Sequence, residues 1–231
     1  MVNRHYSKFI FYWDIWILVL VTYAAFEIPL FVVMQYKPPV IISALNIIVS
    51  LVFIADVVVR RRVAHSKGKK YAMVWLLTDV AAAIPFELLI FTGIGLSLVA
   101  WLRVIRLVKL FRVYGFKTVW EYRINLNPGL VRLGFFFYIL VLGMHWISCG
   151  WVNIHDFKED DPTGLLWQTD LVWKYMMSAY WCTSTVTTIG YGDIHPNHSR
   201  VFEIVYTMGV QFLGAGAFGY TIGNIATLLA N

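Results

Sequence analysis

Residues 183–196 read TSTVTTIGYGDIHP, a run of hydroxyl side chains followed by Gly-Tyr-Gly-Asp and closed by proline. Glycine weakens a helix and Pro196 ends one, so the middle of this stretch is irregular backbone. Glycines at 190 and 192 permit the unusual dihedrals that turn successive carbonyls to one side. Oxygens gathered in that way are ligands for a cation. A second set of residues carries charge into apolar surroundings. In WLRVIRLVKLFRVYGF, Arg103, Arg106, Lys109 and Arg112 recur at every third position with apolar residues between them. On an α-helix a spacing of three makes a slowly winding stripe, so these cations face protein or water while the rest of the surface can meet lipid. Asp56 and Asp79 each lie deep in an apolar run and are the expected countercharges, because charge inside a bilayer is costly and is usually paired.

The elements that must position these residues follow from composition. The 231 residues are 59% hydrophobic, 17% aromatic and 14% charged. That is too apolar for a soluble domain and makes the bilayer the solvent. Six segments approach the length of roughly 20 residues that a crossing helix needs: about 11–34, 40–59, 72–92, 97–114, 129–152 and 201–229. The net charge of +6 is concentrated between spans, above all in Arg60, Arg61, Arg62, Lys67, Lys69 and Lys70. By the positive-inside rule that connection is cytoplasmic, and so are both termini. The cations therefore read as membrane anchors, and nucleic acid is not an expected partner. Asp156, Glu159, Asp160, Asp161 and Asp170 make the connection after the fifth span acidic, in keeping with an outer position. Arg4 and Lys8 before an apolar run imitate a signal peptide. Asp14 interrupts that run, so the segment is expected to be a retained helix.

Residues 170–187 form an amphipathic run that is helical in length but too short to cross, with Thr169 and Asp170 offering N-terminal capping groups. A half-membrane helix between two full spans reads as re-entrant, and non-helical backbone at that depth survives only where protein or water surrounds it. At this point TTIGYGD resembles the selectivity filter of potassium channels. "FIADVVVR", "WLLTDVAAAIPFE", "HWISCGW" and "FGYTIGNIATLL" occur in order around it. Together they resemble the cyclic-nucleotide-gated and hyperpolarisation-activated channel superfamily, most like its small prokaryotic members.

That resemblance implies an all-α integral membrane protein with six transmembrane helices, a re-entrant pore helix and a filter loop, assembled as a homotetramer in the plasma membrane. It implies a voltage-sensor-like domain over 1–114, a linker over 115–128 and a pore domain over 129–231. Carbonyls of Thr188, Ile189, Gly190 and Tyr191 would bind K+, Gly192 would complete the turn, and Asp193 would stand at the outer mouth. Animal cyclic-nucleotide-gated channels mostly lack Gly-Tyr-Gly, and pacemaker channels usually carry cysteine at the position of Thr188. The retained threonine therefore implies full potassium selectivity, with a weakly selective pacemaker-type cation channel as the alternative. Phe218, Ile222 and Ala226, four residues apart, line one face of the sixth helix and are the expected gate, with Gly214 one turn earlier as a hinge. The family places a cyclic-nucleotide-binding domain after this helix. With the chain ending at Asn231, any response to the nucleotide is expected to need that missing cytoplasmic part. No cofactor is expected beyond potassium ions in the filter.

Three features argue for other classes and are outweighed. "GAGAFG" at 214–219 matches a dinucleotide-binding fingerprint but follows no strand and sits in an uncharged apolar helix. His145 is a possible haem ligand, yet a single intramembrane histidine beside Trp146 is expected to be a packed, hydrogen-bonded residue. A secondary transporter would need matching halves with broken helices, which this chain lacks. Cys149 and Cys182 have no metal-ligand spacing and are expected as buried free thiols.

Overall fold

The computed structural model describes residues 8–34, 38–66, 68, 71–92, 95–111, 113, 128–157 and 170–230, and every regular element among them is helical. In chain order these are α1 (Lys8–Met34), α2 (Val40–Ser66), α3 (Met73–Ala83), a 3-10 segment (Phe86–Thr92) and α4 (Leu96–Arg103), which runs on as a 3-10 segment (Val104–Leu110). Then come α5 (Pro128–Ile154), α6 (Leu171–Val186) and α7 (Val201–Ala230). Among the described residues four helices are long and apolar enough to cross a membrane: Phe9–Met34, Val40–Ser66, Gly129–Ile154 and Val201–Ala226. The chain divides into two compact units, Met1–Val119 and Trp120–Asn231.

The first unit is built on a stripe of α2. Asn46, Val49, Ser50, Phe53 and Asp56 are buried at steps of three and four, the spacing of one helix face. Against it pack Ile17, Val21, Ala24, Ile28 and Phe31 of α1, with Ala82 and Ala83 of α3 and Val99 and Ala100 of α4 completing the apolar core. Two predicted spans differ from expectation here. The stretch 72–92 is not one helix: α3 stops at Ala83, and Ile84 is extended at φ −64° and ψ 125°. Pro85 is the cause. It lacks a donor, its ring clashes with the preceding turn, and it disfavours helical backbone at the residue before it. The stretch 97–114 changes winding at Arg103, being α-helical before it and 3-10 after it.

The second unit holds α6 between α5 and α7. Its core is Trp151, Phe157, Trp181, Cys182, Val186, Ile194 and Val210. Trp151 of α5 and Trp181 of α6 stack at 3.8 Å between centroids and 9° between planes. Such a pair adds about 0.5–1.5 kcal/mol to the burial of the two rings and sets the orientation of α6. The packed face of α7 runs through Glu203, Thr207, Val210 and Gly214, again at steps of three and four.

Candidate functional site

The cation stripe lies inside the first unit. Arg103, Arg106 and Lys109 are all 1–2% exposed, so each needs a partner, and each has one. In a 3-10 helix there are three residues per turn, so side chains at i and i+3 eclipse. The winding change therefore straightens the stripe from Arg103 to Lys109 where an α-helix would let it drift.

Two acidic clusters receive it. In the first, Arg106 donates two hydrogen bonds to the Glu87 carboxylate, at 2.6 and 2.7 Å. It donates further to the Ser50 hydroxyl at 2.7 Å and the Ile84 carbonyl at 2.8 Å. Arg103 joins the same cluster, with Nε 3.0 Å from Glu87 and a terminal nitrogen bonded to Glu27. In the second, Lys109 Nζ is 2.8 Å from Asp56 and 3.7 Å from Asp79. Arg60 Nε is 2.9 Å from Asp56, and its guanidinium reaches Asp14 at 3.1 Å. Trp13 donates to Asp56 at 2.9 Å, and the Tyr71 hydroxyl donates to Asp79. Phe53 stands at the second cluster, with Lys109 Nζ 4.3 Å from its ring centroid. Arg106 and Lys109, which occupy the two clusters, are three residues apart on the 3-10 segment, about 6 Å along its axis. Arg112 lies outside the described residues.

The loop that follows α6 belongs to the second unit. Asp170 caps α6, accepting from Val172 N at 2.9 Å and Trp173 N at 3.0 Å. At the other end of α6 the loop spends its amides on the helix. Thr188 N donates to the Thr185 carbonyl at 3.1 Å, while Ile189 N and Gly190 N both donate to the Ser184 carbonyl, at 2.9 and 3.0 Å. In a trans peptide the N–H of one residue and the C=O of the residue before it point in opposite directions. With these three amides turned toward α6, the carbonyls of Thr187, Thr188 and Ile189 are turned away from it, onto the exposed side of the loop. Thr188, Gly190 and Gly192 have φ of 62°, 56° and 78°. Left-handed backbone at alternate residues lets successive carbonyls keep to one side of the loop. A non-glycine residue pays about 1–3 kcal/mol for that conformation, so Thr188 is held there by its surroundings. The C-terminal end of α6, with its partial negative charge, faces the same backbone and favours a cation.

Beyond the carbonyls, Tyr191 lies parallel to Tyr180, 6.3 Å away at 5°. The Tyr180 hydroxyl donates to Asp193 Oδ2 at 2.7 Å. That bond holds the Asp193 carboxyl below the ordinary carboxylate range. His145 is buried, with Nδ1 2.7 Å from the Tyr175 hydroxyl of α6, so it ties α5 to α6. On α7, Phe218, Ile222 and Ala226 are exposed in the single chain, uncovered by α5. Gly214 is buried against α6, and a Cβ there would lie 2.7 Å from Val186 Cα. Cys149 and Cys182 are free and buried.

The sequence profile of the ion transport protein family matches residues 10–231. The chain belongs to that family. It is therefore a membrane channel chain and not an enzyme. It is similar to "Voltage-gated inwardly rectifying potassium channel KCNH2" of Cavia porcellus, 25% identical over 269 residues that cover 97% of this chain and 20% of the relative. It is also similar to two proteins of Oryza sativa subsp. japonica. "Potassium channel AKT2" is 27% identical over 94% of this chain and 28% of the relative. "Potassium channel KAT1" is 25% identical over 95% of this chain and 33% of the relative. The channel chain thus spans a third or less of the length of these relatives.

Sequence reasoning missed several partners in this channel. It named Asp56 and Asp79, which both meet Lys109, but not Glu27 and Glu87, which hold Arg103 and Arg106. The signal was present: each glutamate is a lone acid in an apolar run, the same mark that picked out the aspartates. Arg60 reads in the sequence as a loop anchor, yet its guanidinium sits within the second cluster.

Proposed function

We propose that four copies of this chain form a potassium-selective channel in the plasma membrane, with both termini cytoplasmic and K+ passing down the shared axis. One observation carries the reading. Three consecutive pore-loop amides are bonded to the end of α6, which commits the carbonyls behind them to the open side. One loop offers too few oxygens to replace a hydration shell, and four related by a cyclic axis offer enough. Thr188, Ile189, Gly190 and Tyr191 supply the K+ sites, Gly192 the closing turn and Asp193 the outer mouth. The six crossings are α1, α2, α3 with its 3-10 extension, α4 with its own, α5 and α7. Phe218, Ile222 and Ala226 converge at the cytoplasmic end as an apolar constriction that closes by dewetting. Arg103, Arg106, Lys109 and Arg112 sense voltage. A membrane potential acts on buried charge, and the two acidic clusters are successive resting places for it.

Reconstituted into planar bilayers with K+ on one side and Na+ on the other, the chain is expected to reverse close to the potassium limit. Gly190→Ala or Tyr191→Ala is expected to abolish that preference or conduction itself. A reversal potential midway between the two limits identifies a weakly selective pacemaker-type pore and overturns the proposal.

A further inference from the structure

We propose that His195 and His198 form a two-histidine site for a divalent first-row transition cation on the rim of the pore loop. The two rings are exposed, 5.7 Å apart between centroids and inclined at 54°. With metal–nitrogen bonds of about 2.0–2.1 Å, two imidazoles on one ion have centroids about 5 Å apart. The free pair is therefore within about 1 Å of its chelating separation, a distance that side-chain rotation closes.

The loop between them is fixed. Asn197 N donates to Glu203 at 3.0 Å, the Asn197 carbonyl accepts from Arg200 N at 3.0 Å, and the Asn197 side chain accepts from Ser199 N at 2.8 Å. Glu203 is itself buried and held by His155 at 3.0 Å and Arg200 at 3.2 Å. Pro196 restricts the backbone further. Both histidines thus flank an anchored residue, and little order remains to be gained on binding.

The tautomer of His195 is also set. Its Nδ1 is 3.3 Å from the Pro196 carbonyl, and a carbonyl only accepts, so Nδ1 carries the proton. The Nε2 lone pair is left free, and metal-binding histidines commonly have this outer hydrogen bond. Among the described residues no group of three or more His, Cys, Asp or Glu could hold a metal, so two imidazoles and water complete the shell. Neutral imidazole suits Cu2+, Ni2+ and Zn2+, with Cu2+ bound most tightly. A cation held two residues after Asp193 places positive charge beside the loop through which K+ is proposed to enter.

The test is Cu2+ titration of the purified full chain in detergent, read by electron paramagnetic resonance. The expected spectrum shows coupling to two imidazole nitrogens. His195→Ala and His198→Ala should each lose one nitrogen and bind more weakly, and Zn2+ should compete in the unaltered chain. Both positions are at the surface, and elution as the same oligomer checks that the variants fold. A two-nitrogen spectrum that survives either substitution, or its absence from the unaltered chain, overturns the proposal. Binding is read without current. Its failure leaves the channel proposal standing, and a chain that conducts no K+ still reports on the metal site.

Discussion

Lys109→Gln isolates one step of the proposed charge movement. In this structure three cations of the stripe are buried, Arg103, Arg106 and Lys109, and the acids that receive them fall into two clusters. A displacement of the stripe by one repeat would carry Arg106 from Glu87 to the Asp56 site. Three residues of 3-10 helix rise about 6 Å, and the hydrocarbon core is about 30 Å thick, so each cation crosses about one fifth of the field. The three buried cations alone then contribute about 0.6 elementary charges per subunit, worth about 1.4 kcal/mol per 100 mV, and about 2.4 charges per tetramer. Without Lys109 the sum falls by a third, to about 1.6.

Asp56 is not abandoned in this variant, because Arg60 and Trp13 both still bond its Oδ1. The substitution therefore tests charge more than folding, and Lys109→Arg, which keeps the charge, serves as the control. The assay is the limiting slope of open probability against voltage in reconstituted bilayers. The expected result is a slope reduced by about one third in the glutamine variant and retained in the arginine variant. An unchanged slope in Lys109→Gln, or an open probability flat with voltage in the unaltered chain, would refute the reasoning and leave the buried pairs as scaffold.

Gly214→Ala puts a methyl group 2.7 Å from Val186 Cα and 3.0 Å from its carbonyl oxygen; backbone yields little, so the end of α6 must shift. A cost of about 1–3 kcal/mol is expected, read as a lower melting temperature together with lost preference for K+ over Na+, whereas a pure hinge would alter opening alone. Ile222→Ala removes bulk from an exposed position on α7 and is expected to raise basal open probability in single-channel records; an unchanged value moves the gate to the filter. Asp193 has its carboxyl pKa lowered by the Tyr180 hydroxyl, so the bond's stabilisation is present above the unfolded value of about 3.9 and is lost as pH falls through the folded value. Flux through proteoliposomes should therefore keep its Asp193-dependent part as pH falls to the ordinary carboxylate value of about 3.9 and lose it only below that. Tyr180→Phe should move the acid limb to higher pH, and an unmoved limb excludes the tether.

How much was legible depended on whether the signal was local. Asp170 could be named as a cap because a cap answers to the two amides that follow it, and the structure bonds it to Val172 and Trp173. Gly190 and Gly192 could be named because positive φ has a residue signature, and both carry it. Thr188 also has positive φ, and nothing in the residue type announces that. Its conformation lets Ile189 N and Gly190 N share the Ser184 carbonyl, a demand of the turn as a whole that no single residue type carries. Likewise Gly214 read as a hinge from its place before Phe218, while its burial against Val186 depends on how two helices pack. Pairings were the least legible. The sequence marks acids in apolar runs, but which cation meets which acid is decided by the relative height of four segments.

Pro85 shows how one local rule reaches the site. An uninterrupted helix over 72–92 would bond the Ile84 carbonyl within its own ladder. Pro85 ends α3, Ile84 becomes extended, and its carbonyl accepts from both Phe86 N at 2.9 Å and Arg106 at 2.8 Å. The same break sets the direction of the 3-10 segment that begins at Phe86, and Glu87 stands in its first turn. Glu87 is 2% exposed and meets both Arg103 and Arg106. A buried carboxylate is tolerable only with such partners, and a buried guanidinium has five donors to satisfy. Arg106 has its partners because the helix is broken: two carboxylate oxygens, the Ser50 hydroxyl and the Ile84 carbonyl, turned out of the α3 ladder. The departure from the predicted single span is thus the feature that shapes the first cluster to hold a cation, and removing the break would leave Arg106 short of an acceptor.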